Sequence, residues 1–367
     1  MRIAIVVNTS WNIYNFRLNL GKKFLQEGNE VFAIAPPDEY SRKLIDEGFK
    51  FVPVKMDNKG SNPFQDFLLL FRLIRIYKQI KPDVVLHYTI KPNIYGSIAA
   101  RIAGISSINN VSGLGTVFLH NNLTSKIAKM LYKFAFRYPH KIFFQNKDDK
   151  DLFVHLRLIK EAKAEVIPGS GIDLVKFSFQ KYSRGVPFIY LLPARVLYDK
   201  GVVEYVDAAR QLKSVINAKF LIAGALDKTK LGVPEVLIRE WEKDGVINYI
   251  GFSHNLREEY KKADCIVLPS YREGTSKTLL EAAACGKAII TTDVPGCREV
   301  VQDRVNGFLC KVKDANDLKD KMLKMYNLSE REISNMGENG RLKIEREFDE
   351  NIVFQSYLNA LKEIKSK

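Results

Sequence analysis

The run Cys265-Ile266-Val267-Leu268-Pro269-Ser270-Tyr271-Arg272-Glu273-Gly274-Thr275-Ser276-Lys277-Thr278-Leu279-Leu280-Glu281 passes from unbroken apolar residues, through a turn holding one glycine, into a helix that opens on small hydroxyl side chains. A continuous apolar strand followed by a helix is the unit of a parallel sheet covered on both faces. Outward from this stretch the unit recurs: strand 188–192 with helix 201–214, strands 219–223 and 246–250, helix 276–285 and strand 288–291. The first half repeats the pattern. Arg2-Ile3-Ala4-Ile5-Val6-Val7 is a buried strand, followed by the polar turn Asn8-Thr9-Ser10, a helix over 15–26 and strands at 30–35 and 49–54. A long helix at 64–78, strand 83–87 and a small-residue helix at 94–103 complete it. Gly169, Gly171, Gly185 and Pro187 break the periodicity near 170–187, and residues 350–367 carry the apolar stripe of an amphipathic closing helix. The expected architecture is α/β, with two Rossmann-like doubly wound parallel-sheet domains. Their expected limits are 1–180 and 181–348, with 349–367 packing back on the first.

A chain of 367 residues is about twice the usual domain size, and its 46% hydrophobic and 27% charged residues exclude a disordered, collagen-like or coiled-coil protein. Cys265, Cys285, Cys297 and Cys310 form no C-x-x-C pair, so neither a disulfide scaffold nor a zinc site is expected, and a reducing cytoplasm fits. The five apolar residues after Arg2 are too few for a signal peptide, and no run reaches the ~18 apolar residues of a spanning helix. The formal charge of +15 is uneven: residues 1–180 hold 26 basic and 15 acidic side chains, residues 181–367 hold 31 and 27. Between Asp83 and Asp148 there is no acid at all, a surface that attracts phosphates or anionic lipid headgroups.

In paired sheets of this kind ligands bind beyond the carboxyl ends of the strands. There the amides of Gly274, Thr275 and Ser276, at a helix start, suit a phosphate group. Glu273 and Glu281, eight residues apart, suit the vicinal hydroxyls of different parts of an extended ligand such as a nucleotide sugar; a turn carboxylate and a solvated helix carboxylate are the plainer alternative. After strand 188–192, Arg195 and Lys200 could clamp a diphosphate, or form a solvated basic loop. His87 ends strand 83–87; it is either structural or placed to meet a donor sugar or an acceptor hydroxyl. Arg17 and Lys91 are candidates for an acceptor's phosphates. Asp149-Lys150-Asp151 has the spacing of a metal motif but lies in a polar run opening a helix, and no metal is expected.

Together these residues resemble the family-four retaining glycosyltransferases of the GT-B fold. The resemblance rests on Arg195-(x)4-Lys200-Gly201, on Tyr260-(x)2-Ala263-Asp264-Cys265 running to Ser270, on Glu273-(x)7-Glu281, on Pro295-Gly296-Cys297-(x)-Glu299 and on Gly171-Ile172-Asp173-(x)3-Phe177. The first half resembles bacterial transferases that add N-acetylgalactosamine or a similar hexose to undecaprenyl-diphosphate-linked sugars, through Asn15-Phe16-Arg17, Lys91-Pro92-Asn93-Ile94-Tyr95-Gly96 and Ser112-Gly113-Leu114-Gly115. The resemblance implies two domains facing across a cleft and a metal-independent retaining transfer by front-face displacement. Arg195 and Lys200 would hold the donor diphosphate with the 274–276 amides, Glu281 the ribose and Glu273 the donor sugar. Base recognition would fall to Gly251 and Phe252, with UDP as the nucleotide. The implied partners are a UDP-sugar and a polyprenyl-diphosphate-linked saccharide. No cofactor is implied.

Aromatic and basic residues interleave over 64–81 and 123–141, where Phe64, Phe67, Phe71 and Tyr77 lie among Arg72, Arg75 and Lys78, and Leu123, Ile127, Met130, Phe134 and Phe136 among Lys126, Lys129 and Lys133. Such helices lie in the headgroup plane of a membrane, or simply turn apolar residues to the sheet and lysines to water. The acid-free interval favours peripheral docking at the inner face of an anionic membrane. A nucleic-acid partner is the rival for the basic charge, but no helix-turn-helix, zinc-finger or RNA-binding aromatic signature is present. Neither G-x-G-x-x-G after the first strand nor a G-x-x-x-x-G-K-[ST] loop occurs, against a dehydrogenase or an ATPase.

Overall fold

The computed structural model describes residues 1–57, 62–114, 123–253 and 255–366. Gly115 and the Leu123 side chain lie outside the described residues. The chain divides into two compact units, Met1–Ser170 with Glu350–Lys367, and Gly171–Asp349.

The first unit is built on strands β1 (Arg2–Val6), β2 (Glu30–Ala35), β3 (Lys50–Pro53), β4 (Val84–Tyr88), β5 (Ser106–Val111), β6 (Lys141–Phe144) and β7 (Ala164–Val166), all parallel in the order β3-β2-β1-β4-β5-β6-β7. Its connections carry α1 (Ser10–Phe16), α2 (Leu18–Gln26), α3 (Tyr40–Asp46), α4 (Pro63–Ile80), α5 (Ser97–Ala103), α6 (Leu123–Ala135) and α7 (Lys147–His155). Alternation along β1 shows why its apolar run is continuous. Ile3 and Ile5 enter one core with Phe24 and Tyr357, while Ala4 and Val6 enter the opposite one with Leu69, Leu73 and Tyr77.

The second unit repeats this plan with β8 (Phe188–Pro193), β9 (Ala218–Ala223), β10 (Asn248–Gly251), β11 (Cys265–Leu268), β12 (Ala288–Thr292) and β13 (Gly307–Cys310), parallel in the order β10-β9-β8-β11-β12-β13. Helices α8 (Val202–Leu212), α9 (Glu235–Lys243), α10 (Leu256–Lys262), α11 (Lys277–Ala284), α12 (Ala315–Tyr326) and α13 (Glu330–Glu347) cover it. The last helix, α14 (Glu350–Lys365), belongs to the first unit, where Phe354 and Tyr357 pack against Phe24 and Phe143.

Two boundaries differ from the expectation. The units part after Ser170 rather than after residue 180. Residues 171–180 are tied to the second unit by bonds from the Ile172 amide to the Phe348 carbonyl and from the Gln180 amide to the Cys285 carbonyl, and by burial of Phe177 among Leu279, Leu280 and Ala283. The helix expected over 15–26 is two helices. Thr9 caps the first by accepting from the Asn12 amide, and the chain breaks at Arg17, whose φ of −130° is not helical.

Candidate functional site

At the carboxyl edge of the second sheet, three loops are drawn together by backbone geometry. The Tyr271 amide donates to the Asp199 carbonyl at 2.8 Å, the Glu273 amide to the Pro295 carbonyl at 3.0 Å and the Ser276 amide to the Gly296 carbonyl at 3.0 Å. Glycine is required at two of the contacts. A Cβ on Gly201, at φ +69°, would stand 2.2 Å from the Pro269 carbonyl oxygen, and one on Gly296, at φ +83°, 2.5 Å from the Glu273 backbone. The loops after β8, β11 and β12 are therefore held edge to edge.

This closure brings Lys200 onto Glu273. The ammonium donates to Glu273 Oε1 at 2.5 Å, and the Ser270 hydroxyl donates to the same oxygen at 2.6 Å, with both charged side chains mostly buried at 18% and 15% exposure. An ammonium has three protons, so Lys200 can keep this bond and still present N–H to a ligand anion. Arg195 lies on the same edge with its side chain 63% exposed, in a loose 3.8 Å pair with Asp227.

Glu281, on α11, is buried. It accepts from the Tyr260 hydroxyl at 3.1 Å, and burial raises its pKa above the ordinary carboxylate value against the opposing charge of Lys277. It is not the solvated helix residue of the plainer reading. Gly251 ends β10 at φ +75° and its carbonyl accepts from the Gly224 amide at 2.8 Å, while the Phe252 ring beside it is half exposed. The expectation for the 274–276 amides needs one correction: the Ser276 N–H is committed to the Gly296 carbonyl, because the loop after β12 folds under the start of α11.

In the first unit His87 is corrected as well. It has no exposed surface: the Tyr77 hydroxyl meets its Nε2 at 2.9 Å, Asn109 Oδ1 meets its Nδ1 at 3.1 Å, and Gly96 packs so closely that a Cβ there would lie 2.5 Å from the ring. Burial lowers its pKa from 6.5 to about 4, against the bond to Asn109. It is a neutral core histidine, fixed because β4 runs on to Tyr88 and α4 covers it. Lys91 is ion-paired with Asp66 at 2.7 Å, whereas Arg17, only 4% exposed, meets no carboxylate among the described residues. Asp149 is fully buried and Asp151 pairs with Lys147; among the described residues no three His, Cys, Asp or Glu side chains group as metal ligands.

The sequence reading assigned no role to Ser270, which joins Lys200 on Glu273, or to Tyr260 on Glu281, although both stand in the quoted motif, and it passed over Asp227 beside Arg195 and Thr292, whose hydroxyl donates to the Ser270 carbonyl. A strand-end hydroxyl was the available signal for Thr292; Asp227 gave none, since its partner lies 32 residues away in sequence, and the pairing of Tyr260 with Glu281, 21 residues on, was equally unmarked.

Two further surfaces lie on α4, which carries Asp66, and on α6, which lies in the acid-free interval. On α4, Phe64, Phe67 and Phe71 are more than half exposed and continue as exposed Arg75 and Lys78 at helical spacing, while Leu69, Leu73 and Tyr77 turn to the sheet. On α6, Ile127, Met130 and Phe134 are exposed beside exposed Lys126 and Lys133. Tyr77 and Phe136 are buried, so they leave the expected outward set. Among the described residues no helix is long and apolar enough to cross a membrane.

Two Rossmann-like parallel units with a lysine–glutamate edge define the GT-B class of glycosyltransferase architecture. A crystal structure of Anabaena Alr3699/HepE in complex with UDP and glucose superposes with a TM-score of 0.82 over 99% of each chain at 15% identity. The glycosyl transferases group 1 model matches residues 176–343, and a glycosyl transferase 4-like model matches residues 2–146. The chain is 32% identical, across 98% of its length and 97% of the relative's, to the N,N'-diacetylbacillosaminyl-diphospho-undecaprenol alpha-1,3-N-acetylgalactosaminyltransferase of Campylobacter jejuni. It is 24% identical, across 82% of its length and 79% of the relative's, to a UDP-Gal:alpha-D-GlcNAc-diphosphoundecaprenol alpha-1,3-galactosyltransferase of Escherichia coli. The chain belongs to the group 1 glycosyltransferases, and it is a hexosyltransferase.

Proposed function

We propose that this enzyme moves a hexose or N-acetylhexosamine, with N-acetylgalactosamine favoured, from a UDP-sugar to an undecaprenyl-diphosphate-linked saccharide, retaining the anomeric configuration, in the assembly of a surface polysaccharide, lipopolysaccharide or glycoprotein glycan. The observation that carries the reading is the meeting of Lys200, Ser270 and Glu273 at the carboxyl edge of the second sheet. Lys200 and Arg195, with the start of α11, stabilise the charge that grows on the departing nucleoside diphosphate. Glu273 accepts from the donor sugar's hydroxyls and Glu281 from the ribose, with Gly251 and Phe252 beside the base. The bond from the sugar's anomeric carbon to phosphate breaks as the acceptor oxygen bonds that carbon on the same face, and the departing phosphate oxygen takes the acceptor's proton. The cationic side chains supply the neutralising charge, so the reading calls on no metal. Arg17 and Lys91 serve the acceptor's diphosphate.

The relatives' undecaprenol-linked substrates and the exposed aromatic and basic stripes of α4 and α6 support docking at the cytoplasmic face of an anionic membrane. Flotation with anionic liposomes is expected to carry the chain upward at low salt and to release it at high salt; no association at low salt contradicts the docking.

A thermal-shift panel of nucleotides and nucleotide sugars tests the donor. A ligand at 100 times its Kd stabilises by about 2.7 kcal/mol, and UDP compounds are expected to stand out. Indifference to every nucleotide overturns the reading. Glu273→Gln is expected to lower turnover without trapping a sugar–enzyme adduct, and an adduct seen by mass spectrometry refutes front-face displacement. A donor-hydrolysis assay separates a working transferase from a non-catalytic glycan-binding relative.

A further inference from the structure

Helix α1 leaves β1 at the carboxyl edge of the first sheet and carries two features that the core does not need. One is the Trp11 side chain, 41% exposed, an aromatic ring whose described ring contact is an edge-to-face approach to Phe16 at 5.6 Å. Its backbone is nonetheless fixed three ways. The Trp11 amide donates to Asp38 Oδ2, the Trp11 carbonyl accepts from the Asn15 side chain, and Thr9 caps the next turn through the Asn12 amide. A fixed backbone narrows the positions open to the exposed ring, which lowers the entropy lost when a ligand covers it.

The other feature is Arg17, six residues on and about 9 Å further along the axis at 1.5 Å per residue. Its guanidinium stacks 4.2 Å over the Tyr88 ring, donates to the Phe16 carbonyl and the Ser170 hydroxyl, and reaches the Ser112 hydroxyl at 3.5 Å. Every one of these partners is neutral, and the buried Nε has none. A buried guanidinium without a counter-ion is among the most expensive arrangements a fold can hold. Lys91 shows the contrast, since Asp66 already neutralises it. Phe16 joins the two features, its ring meeting Trp11 and its carbonyl meeting Arg17.

We infer that α1 is a receptor for a sugar bonded to phosphate: the Arg17 guanidinium, whose Nε–H has no partner among the described residues, pairs with a phosphate, and the Trp11 indole lies against the apolar face of the pyranose that the phosphate carries. This rests on the proposed diphosphate-linked acceptor and assigns which side chains read its two chemically different ends. Arg17 is the uncompensated anion site, and Lys91, paired with Asp66, is the weaker second cation for the acceptor's phosphates.

The test is steady-state transfer at saturating UDP-sugar to a short polyprenyl-diphosphate-linked N-acetylhexosamine, with inorganic pyrophosphate as competitor. Trp11→Ala, at an exposed position, is expected to raise the acceptor KM about tenfold, the equivalent of one lost stacking contact, while kcat falls less than threefold. Pyrophosphate is expected to compete with the acceptor in the wild type and to lose at least tenfold in potency against Arg17→Gln. An unaltered acceptor KM in Trp11→Ala, or equal pyrophosphate inhibition of a folded Arg17→Gln, overturns the inference alone. If Arg17→Gln does not fold, the Trp11→Ala result decides. A wild type that binds UDP yet transfers to no such acceptor overturns the proposed function and this inference with it.

Discussion

The carboxyl edges of the two sheets are built from the same kind of loops and use charge in opposite ways. In the second unit the charges come in pairs, Lys200 with Glu273 and Arg195 with Asp227, on loops locked by backbone bonds and close-approach glycines. In the first unit the edge is a network of neutral amides and hydroxyls. Asn109 donates to Ser97 and to the Asn93 carbonyl, Asn110 accepts from Gln145 and Ser112 and donates to Tyr357, and Arg17 reaches this network through Ser112. A paired edge can exchange one partner for a ligand's charge at small net electrostatic cost. A neutral network with one uncompensated cation holds its shape and gains when an anion arrives.

The largest effect that would break this contrast is at the pair. Lys200→Ala is expected to lower kcat about a hundredfold to a thousandfold, the range for removing one donor to developing charge, and to shrink the thermal shift from UDP compounds; near-normal turnover would show the pair to be structural. Gly201→Ala tests the loop closure itself. Its positive φ and the 2.2 Å approach to Pro269 predict a cost of about 2 kcal/mol and a fall in Tm of about 5 °C, read by calorimetry.

Two buried titratable groups sharpen the comparison through pH. His87 has a folded pKa of about 4, below its unfolded value of 6.5, so the unfolded chain binds the extra proton between them. Its contribution, on the order of 3 kcal/mol at full effect, is present above pH 6.5 and lost as pH falls towards 4. Urea unfolding at a series of pH values is expected to show that slope, and His87→Gln to flatten it. Glu281 has the opposite sense. Its folded pKa is raised, so ionisation at neutral pH costs stability that is present at low pH and lost as pH rises through the folded value. Glu281→Gln is expected to raise the Tm of the ligand-free chain by about 1–3 °C while reducing the added shift from UDP. A fall in both would make Glu281 a structural acceptor for Tyr260 alone.

Much of this was legible beforehand. Apolar runs such as 265–268 and 188–192 read as strands covered on both faces, and the turns after them hold Lys200 and Glu273, with Glu281 on the helix that follows. The break at Arg17 was hidden because α1 and α2 together keep one nearly continuous apolar pattern, and a single non-helical φ leaves no mark on it. The residues 171–180 looked like linker because Gly171 and short apolar stretches lack period, although their bonds to Phe348 and Cys285 make them part of the second unit.

By itself the order of residues determined the two parallel α/β units, the family, and the turns at the strand ends, because strand and helix periods and turn residues act over a few neighbours. Only the tertiary structure decided which charged side chains meet and which are shut away. Lys200 reaches Glu273 across 73 residues because β8 and β11 are neighbours in the sheet, while His87 is sealed by Tyr77 and Asn109 from elements on either side of it in the chain. Sheet order and the covering of a face are properties of the whole packed unit, and no local pattern contains them.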